Sequence, residues 1–369
     1  MPDELPPPEY RSQQPLVRRV LLEPARPRGI ARRPNAWWLA VATVCVGAFM
    51  GQLDASIVSL AFPTLQRDFH ATLGAVQWVG LSYLLVLVAL VPAVGRAADM
   101  AGRKLLYIYG FVVFTVGSAL CGIAPGLLAL DGFRALQALG AAMLQANSVA
   151  IIALAAPREK LGRAIGIQGA AQALGLSLGP AVGGVLIAAG GWRLIFFVNV
   201  PAGILGAAAG WFLIPRSREL QERTRFDWLG LVLFAPALSA LLVALSYGNQ
   251  LGWATAAVIG ALAAAVVLGG GFLLHERRTR APMIDLRLFA RAAFSAGIAS
   301  GLLSYLVLFG ALFVTPFFLE SDRGLSPGAT GALLTALPIA LGLVLFAPAL
   351  SALLVALSYG NQLGWATAA

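Results

Sequence analysis

The chain has 369 residues, of which 59% are hydrophobic and 11% are charged, and its net charge is +10. Because soluble domains carry about 25% charged residues, this composition excludes a soluble globular domain. The basic residues lie in short gaps between long uncharged stretches, so the positive charge does not indicate a nucleic-acid partner. Each of those stretches is long enough to cross a bilayer, which predicts an all-α polytopic membrane protein.

Ten membrane spans are predicted in chain order. They cover residues 37–62, 75–95, 105–124, 128–153, 164–189, 194–214, 229–247, 253–274, 293–318 and 329–350. A polar, Pro-rich tail of residues 1–36 with seven arginines precedes them, and Gly248-Asn249-Gln250 is typical of a turn between the seventh and eighth spans. The tail has no cleavage site after a short apolar core, so it does not indicate a secretory signal.

The distribution of lysine and arginine predicts a cytoplasmic N-terminus. With that orientation, 22 of the 26 basic residues fall in cytoplasmic segments, namely 1–36, 96–104, 156–163, 215–227 and 275–292. Arginine outnumbers lysine by 24 to 2, and alanine and glycine are abundant, as is typical of a GC-rich bacterial genome. We therefore expect a multi-pass protein of a bacterial inner (plasma) membrane.

A 29-residue segment occurs twice without change, at 229–257 and at 341–369. Under the predicted topology the two copies would cross the membrane in opposite directions. Inverted repeats in transporters are weak similarities spread over whole bundles, so such identity favours a splice, by recombination or sequence assembly, over a functional repeat. A genuine duplicated helix is the alternative. On either interpretation we expect the chain to be truncated and inactive in transport.

Charged residues inside a span are costly and usually mark a functional site. Asp54 in GQLDASIV is expected to bind and release a proton; the alternative is a charge satisfied by water or neighbouring amides. Arg134 in FRALQALGAA is expected to be functional; a local pair with Asp131 is the alternative. Polar residues in the spans are candidates for the substrate pathway: Gln52, Gln137, Gln145, Asn147, Gln168 and Gln172.

Two further motifs involve glycine. In GRAADMAGRK, the glycines allow tight turns and the aspartate can accept hydrogen bonds from a helix N-terminus. The basic pair anchors the start of the next span. A conformational loop is therefore predicted, formed by Gly95, Asp99, Gly102, Arg103 and Lys104. An ordinary positive-inside loop is the alternative. In GLSLGPAVGG, small residues at four-residue spacing predict a close helix contact with a kink, formed by Gly175, Gly179, Pro180, Gly183 and Gly184.

These motifs together resemble the major facilitator superfamily (MFS), and within it the fourteen-helix drug:H⁺ antiporters. The family's motif for the loop between helices 2 and 3 is similar to GRAADMAGRK, its helix 4 motif to RALQALGAA, and its exporter helix 5 motif to GLSLGPAVGG. The beginnings of its helices 1, 6 and 7 are similar to LDASIVSLAFPTL, GWRLIFFVNVPAG and FDWLGLVLF, respectively. Met100 and Ala138 depart from these patterns. The resemblance covers roughly residues 37–345.

The resemblance implies an MFS-type fold with two linker helices between two bundles. The expected parts are a tail at 1–36, a complete six-helix bundle at 37–214, a loop at 215–228, two extra helices at 229–274, a basic loop at 275–292 and a partial C-terminal bundle at 293–369. It also implies proton-coupled efflux of small hydrophobic or cationic compounds, with Asp54 and Arg134 in proton coupling. An uptake carrier for a small metabolite is the alternative.

Neither an enzyme nor a membrane scaffold is favoured, since the spans lack a clustered nucleophile or metal constellation and no soluble output domain is visible. Cys45 and Cys121 fall inside spans, while His70 and His275 stand at span edges, so we expect no disulfide framework, metal or cofactor. The expected partners are the substrate, protons and the lipid bilayer, with the protein a monomer and no nucleic acid bound.

Overall fold

The computed structural model describes residues 23, 26–33, 35–217, 227–279, 282–317 and 323–324. The longer helices are α1 (Ala36–Ile57), α2 (Phe62–Phe69), α3 (Leu73–Ala101), α4 (Arg103–Gly122), α5 (Leu127–Ala155), α6 (Leu161–Gly190), α7 (Asn199–Leu213), α8 (Trp228–Leu251), α9 (Ala256–Arg278) and α10 (Ala292–Phe317). Short helical turns lie at Arg28–Ala31 and Leu194–Phe197, and 3₁₀ turns at Val58–Ala61, Arg158–Lys160 and Leu286–Ala290.

Eight helices in the described part of the chain are long and apolar enough to cross a membrane. They correspond to the first eight predicted spans, so the prediction of a polytopic, all-α membrane protein is confirmed. The ninth predicted span coincides with α10. The tenth span, at 329–350, and the second copy of the repeat, at 341–369, lie outside the described residues.

Three helix boundaries differ from the predicted ones. The first span does not run unbroken to residue 62, because the 3₁₀ turn interrupts it and Pro63, which lacks a backbone N–H, stands in the first turn of α2. Residues 96–101 form the end of α3 rather than a loop, since Ala and Arg are strong helix formers. Helix α8 continues through the predicted Gly248–Gln250 turn, and the chain instead turns at Gly252, which has a φ of 86°.

Helix α1 lies in the middle of the first bundle and packs against α5, α6 and α7, while α4 and α3 both pack against α5. The contact between α1 and α6 depends on glycine. A Cβ built on Gly175 would overlap Phe49 O, one on Gly179 would overlap Ser56 Oγ, and one on Gly183 would lie 2.7 Å from Ile57 Cγ1. The α6 backbone therefore lies directly on the segment of α1 that contains Asp54.

The remainder of the predicted helix 5 motif behaves differently. The motif also includes Gly184, and a Cβ built there would have no neighbour within 4 Å among the described residues. Four-residue spacing holds for Gly175, Gly179 and Gly183, and Gly184, one residue on, points away from that face. Pro180 is exposed inside α6, and the helix continues past it to Gly190.

Candidate functional site

Asp54 and Arg134 form a buried ion pair between α1 and α5. Arg134 Nη1 donates a hydrogen bond to Asp54 Oδ2 at 2.6 Å, although the two residues are 80 positions apart in sequence. The side chains of Asp54 and Arg134 are 0% and 1% exposed. A charge buried so completely is tolerated only when it is paired and hydrogen-bonded, and here each residue is the other's partner.

Three polar side chains surround the pair. Gln137 donates to Asp54 Oδ1 at 2.9 Å and to Ser118 Oγ at 3.0 Å, and it accepts a hydrogen bond from Arg134 Nη1 at 2.6 Å. Asn199 donates to Asp54 Oδ1 at 2.9 Å and to Ser118 Oγ at 3.1 Å. Residues of α1, α4, α5 and α7 thus meet in one buried network, which we call the Asp54 network (Asp54, Ser118, Arg134, Gln137 and Asn199).

The guanidinium of Arg134 also contacts two aromatic rings and a backbone carbonyl oxygen. Its Cζ lies 4.2 Å from the ring centroid of Tyr83 and 5.7 Å from that of Phe196. Its Nε donates to the carbonyl oxygen of Val79 in α3 at 3.1 Å. Stacking and a fork of fixed donors suit arginine, whereas a lysine ammonium could satisfy only part of this set.

Glycines in α4 and α5 allow the Asp54 network to form. A Cβ built on Gly117 would lie 2.7 Å from the backbone nitrogen of Gln137, and one built on Gly140 would overlap the backbone nitrogen of Phe114. Helices approach this closely only where side chains are absent. Because Ser118 directly follows Gly117, this contact places its hydroxyl beside the Gln137 amide.

The alternative of a local pair between Asp131 and Arg134 is not what the structure shows, since Arg134 pairs with Asp54. Asp131 is half-buried one helical turn away, and its Oδ1 is buried without a hydrogen-bond partner among the described residues. Sequence spacing suggests the local pair because residues three apart share a helix face. The tertiary contact with α1 offers Arg134 a fully enclosed partner instead.

The six substrate-pathway candidates occupy different environments. Gln137 belongs to the Asp54 network. Gln52 lies at the α1–α6 contact, where its Cβ would be 3.2 Å from a Cβ on Gly175, and Asn147 turns back to the carbonyl oxygen of Met143 in its own helix at 2.8 Å. Gln145 is exposed, Gln168 is buried and Gln172 is half-buried.

The predicted conformational loop is a single-residue joint. Gly102 separates α3 from α4 with a φ of 108°, a left-handed value that glycine adopts without strain, while Gly95 lies inside α3. Arg103 donates to Asp99 Oδ1 from Nε at 3.1 Å and from Nη2 at 3.0 Å. The sequence predicts that Asp99 accepts hydrogen bonds from the N-terminus of α4. In the structure, Asp99 pairs with the side chain of Arg103 instead.

That N-terminus is capped by Glu23 from the N-terminal tail. The Glu23 carboxylate accepts from the backbone nitrogens of Lys104 at 3.1 Å and Leu105 at 3.4 Å, and from Ser217 N at 2.7 Å and Ser217 Oγ at 2.9 Å. Lys104 is buried, and its Nζ donates to the carbonyl oxygen of Ile214 at 2.7 Å. The tail, the Gly102 joint and the exit of α7 are thereby held together.

Sequence reasoning does not find Ser118, Asn199 or Glu23. Serine and a span-terminal asparagine are ordinary in membrane helices. Glu23 stands in a polar tail, 81 residues before Lys104 and 194 residues before Ser217. The available signal for Asn199 is its position in GWRLIFFVNVPAG, a segment that carries the family resemblance. In the described part of the chain, no group of three His, Cys, Asp or Glu residues is placed to hold a metal ion.

Comparison with known proteins places this geometry in context. Residues 44–368 match the family model described as Major Facilitator Superfamily. The riboflavin transporter RibZ of Clostridioides difficile is 35% identical over 84% of this chain and 66% of its own length. The tetracenomycin C resistance and export protein of Streptomyces glaucescens is 34% identical over 83% of the chain and 58% of its own length.

A third relative is the multidrug resistance protein Stp of Mycobacterium tuberculosis, which is 37% identical over 81% of the chain and 56% of its own length. The chain thus spans less than two thirds of the length of each of these three relatives.

Proposed function

Because this chain belongs to the Major Facilitator Superfamily, whose members are transporters and not enzymes, we propose that it exports small hydrophobic or cationic compounds in exchange for protons. The substrate and the inward-moving proton would be its partners. We place the protein in a bacterial inner membrane with its N-terminus in the cytoplasm, as a monomer of the fourteen-helix drug:H⁺ antiporter type. The six-helix bundle, the two linker helices α8 and α9 and the beginning of a second bundle are the corresponding parts.

The observation that carries proton coupling is the enclosure of Asp54 and Arg134. Binding a proton to Asp54 would neutralise the carboxylate and weaken its attraction to the guanidinium, at a point where four helices share hydrogen bonds. In a low-dielectric interior such a change in charge is worth far more than at a surface. Protonation is thus able to bias the packing of α1 against α4, α5 and α7.

Two observations support the direction of transport. Relatives at 34–37% identity have names that state export or multidrug resistance. The close contact between α1 and α6 is built by the GLSLGPAVGG segment, which resembles the exporter motif and lies directly on the helix that contains Asp54.

An importer or exporter of one metabolite is the second candidate, and the relative named as a riboflavin transporter favours it. The two functions can be distinguished by testing several unrelated cationic dyes together with a single metabolite. A multidrug exporter lowers the accumulation of several unrelated cationic dyes, whereas a metabolite carrier changes the accumulation of a single compound such as riboflavin and leaves the dyes unaffected.

The test compares Asp54→Asn with Asp131→Asn. Cells produce either the 369-residue chain or a fusion that continues into the remaining sequence of the Stp relative, and dye efflux is followed after an imposed pH gradient. Asn cannot release a proton, so Asp54→Asn should abolish gradient-driven efflux in whichever protein transports. Asp131→Asn, the same change one turn from Arg134, should keep it. Efflux at the unsubstituted rate by the Asp54→Asn protein would refute proton coupling at this residue.

A further inference from the structure

Asn199 is the residue that joins α7 to the ion pair. It is the first residue of α7 and is buried, and its single amide nitrogen donates both to Asp54 Oδ1 at 2.9 Å and to Ser118 Oγ at 3.1 Å. An amide group has two N–H donors, so both are used in these two bonds. One side chain of α7 therefore connects α1 with α4.

The hydrogen bonds of Asp54 give Asn199 a distinct position. Arg134 donates to Oδ2, whereas Gln137 and Asn199 donate to Oδ1. Arg134 and Gln137 both belong to α5, so Asn199 is the donor that comes from a different helix. Three donors thus converge on one carboxylate, whereas a protonated carboxyl is a weaker acceptor and brings a donor of its own into the same space.

Ser118 extends this connection to the start of α7. Its hydroxyl accepts from Gln137 and Asn199 and donates to the carbonyl oxygen of Phe196 at 2.9 Å. A hydroxyl has one donor and two acceptor positions, so Ser118 has no capacity left. Phe196 lies in the turn that precedes α7, and the Asn199–Ser118 pair thus fixes both the first residue of α7 and the turn before it.

We propose that Asn199 is a positioning residue for the proton on Asp54: it holds the carboxylate in its charged form and loses its bond to Oδ1 when a proton from water binds there. This inference rests on the proposed function for its role in transport. Loss of that bond would release the start of α7 from α1, while the bond to Ser118 keeps α7 on α4. Protonation would thus allow α7 to separate from α1 while α7 stays packed on α4.

Other ionisable groups around Asp54 are few. Arg134 and Asp131 come from α5, Tyr83 from α3 and Cys121 from α4. Helix α7 contains no ionisable side chain, and the one on α6, Arg163, lies at the other end of α1 over the Trp38 ring. A change at Asn199 therefore acts on Asp54 through hydrogen bonding and not through a charge of its own.

The test is a titration of Asp54 by infrared spectroscopy on the 369-residue chain in lipid nanodiscs. The carbonyl band of its protonated carboxyl is identified as the band lost in Asp54→Asn, and its intensity is followed after equilibration at each pH. In Asn199→Leu, of similar volume but without donors, the midpoint should move to higher pH by about one unit or more, a change of about tenfold in proton affinity. Thr43→Val is the matched control, because Thr43 is a buried residue of α1 whose hydroxyl donates to Leu39 of its own helix.

Asn199→Ala is measured in parallel, since it removes the amide without adding bulk and serves if the leucine variant does not fold. An unmoved midpoint in either folded variant, or an equal shift in Thr43→Val, would overturn the inference. The titration does not depend on transport. If the midpoint shifts but the Stp fusion shows no proton-driven efflux, the proposed function alone is refuted. If the fusion transports but the midpoint does not move, the positioning role alone is refuted.

Discussion

Gly179 of α6 meets Ser56 of α1 so closely that a Cβ on the glycine would overlap the serine hydroxyl. Ser56 is two residues beyond Asp54, and its hydroxyl donates to the carbonyl oxygen of Leu53 at 3.1 Å. The backbone of α6 thus covers the helical turn that contains the buried carboxylate. Any side chain at position 179 acts directly on that turn.

Gly179→Leu should therefore destabilise the bundle, because the side chain forces α6 away from α1. Overpacking of a well-packed contact costs about 1–3 kcal/mol, and here backbone must move as well. Gly184→Leu in the same motif is the matched control, since a Cβ there would have no neighbour within 4 Å in the described part of the chain. Thermal unfolding followed by size-exclusion chromatography in detergent should show a lower midpoint for Gly179→Leu only. Equal midpoints for the two variants would show that α6 does not use this face for packing.

Removal of Arg134 should be costly unless Asp54 is neutralised at the same time. Arg134→Ala leaves a buried carboxylate without its partner, which destabilises a protein by about 3–5 kcal/mol. The double variant Asp54→Asn with Arg134→Ala should recover part of that loss, as measured by thermal unfolding of all four members of the cycle. Strictly additive losses would contradict an energetic coupling between the two residues.

Arg134→Lys tests the geometry of the guanidinium separately from its charge. A lysine keeps the positive charge but cannot bond to Asp54, Gln137 and the Val79 carbonyl in one plane while stacking on Tyr83. We expect the protein to fold but to lose most proton-driven efflux when dye export by the Stp fusion is measured. Full efflux in the lysine variant would mean that charge alone suffices.

Glu23→Ala should destabilise the end of the bundle that contains Gly102. The substitution removes the acceptor for Lys104 N, Leu105 N and Ser217, and loss of a helix N-cap costs about 0.5–2 kcal/mol. The exposed Glu159 provides a control in Glu159→Ala, the same chemical change without the buried contacts. Hydrogen–deuterium exchange should rise at the start of α4 and around Ser217 in Glu23→Ala. Unchanged exchange there would contradict the capping role.

Asp227→Ala should loosen the α8–α9 hairpin selectively. The Asp227 carboxylate accepts from Gly230 N at 2.8 Å and lies 2.8 Å from His275 Nε2, so it caps α8 and links it to the end of α9. The control is Asp285→Ala, because Asp285 caps only a short 3₁₀ turn. Faster exchange across α8 and α9, with the first bundle unchanged, is the expected result. A uniform effect on both units would indicate that Asp227 supports the whole molecule.

The eight spans could be predicted from the sequence because uncharged apolar runs of this length are rare outside membrane helices. Asp54 and Arg134 could be singled out individually, since charges are rare in such runs. Their pairing was not predictable, because they are 80 residues apart and Asp131 offers a nearer partner on the same helix face. Helix spacing is local information, while the contact of α1 with α5 depends on the whole bundle.

Glu23 and Gly252 show the same limit at the helix ends. A single acidic residue in a polar tail gives no indication that it caps a helix 81 residues later. The Gly248–Gln250 segment has the composition of a turn, yet α8 persists to Leu251 because the positive φ is taken up by Gly252. Composition indicates that a turn is near, and tertiary packing decides which residue makes it.

Asp54 presents no surface to solvent in this conformation. A carboxylate enclosed in this way exchanges protons with bulk water only when the helices around it separate. After a sudden change in external pH, the occupancy of Asp54 would thus lag behind, with a delay set by helix motion rather than by proton diffusion. Under the proposed coupling, this slow exchange would also limit the leak of protons down their gradient.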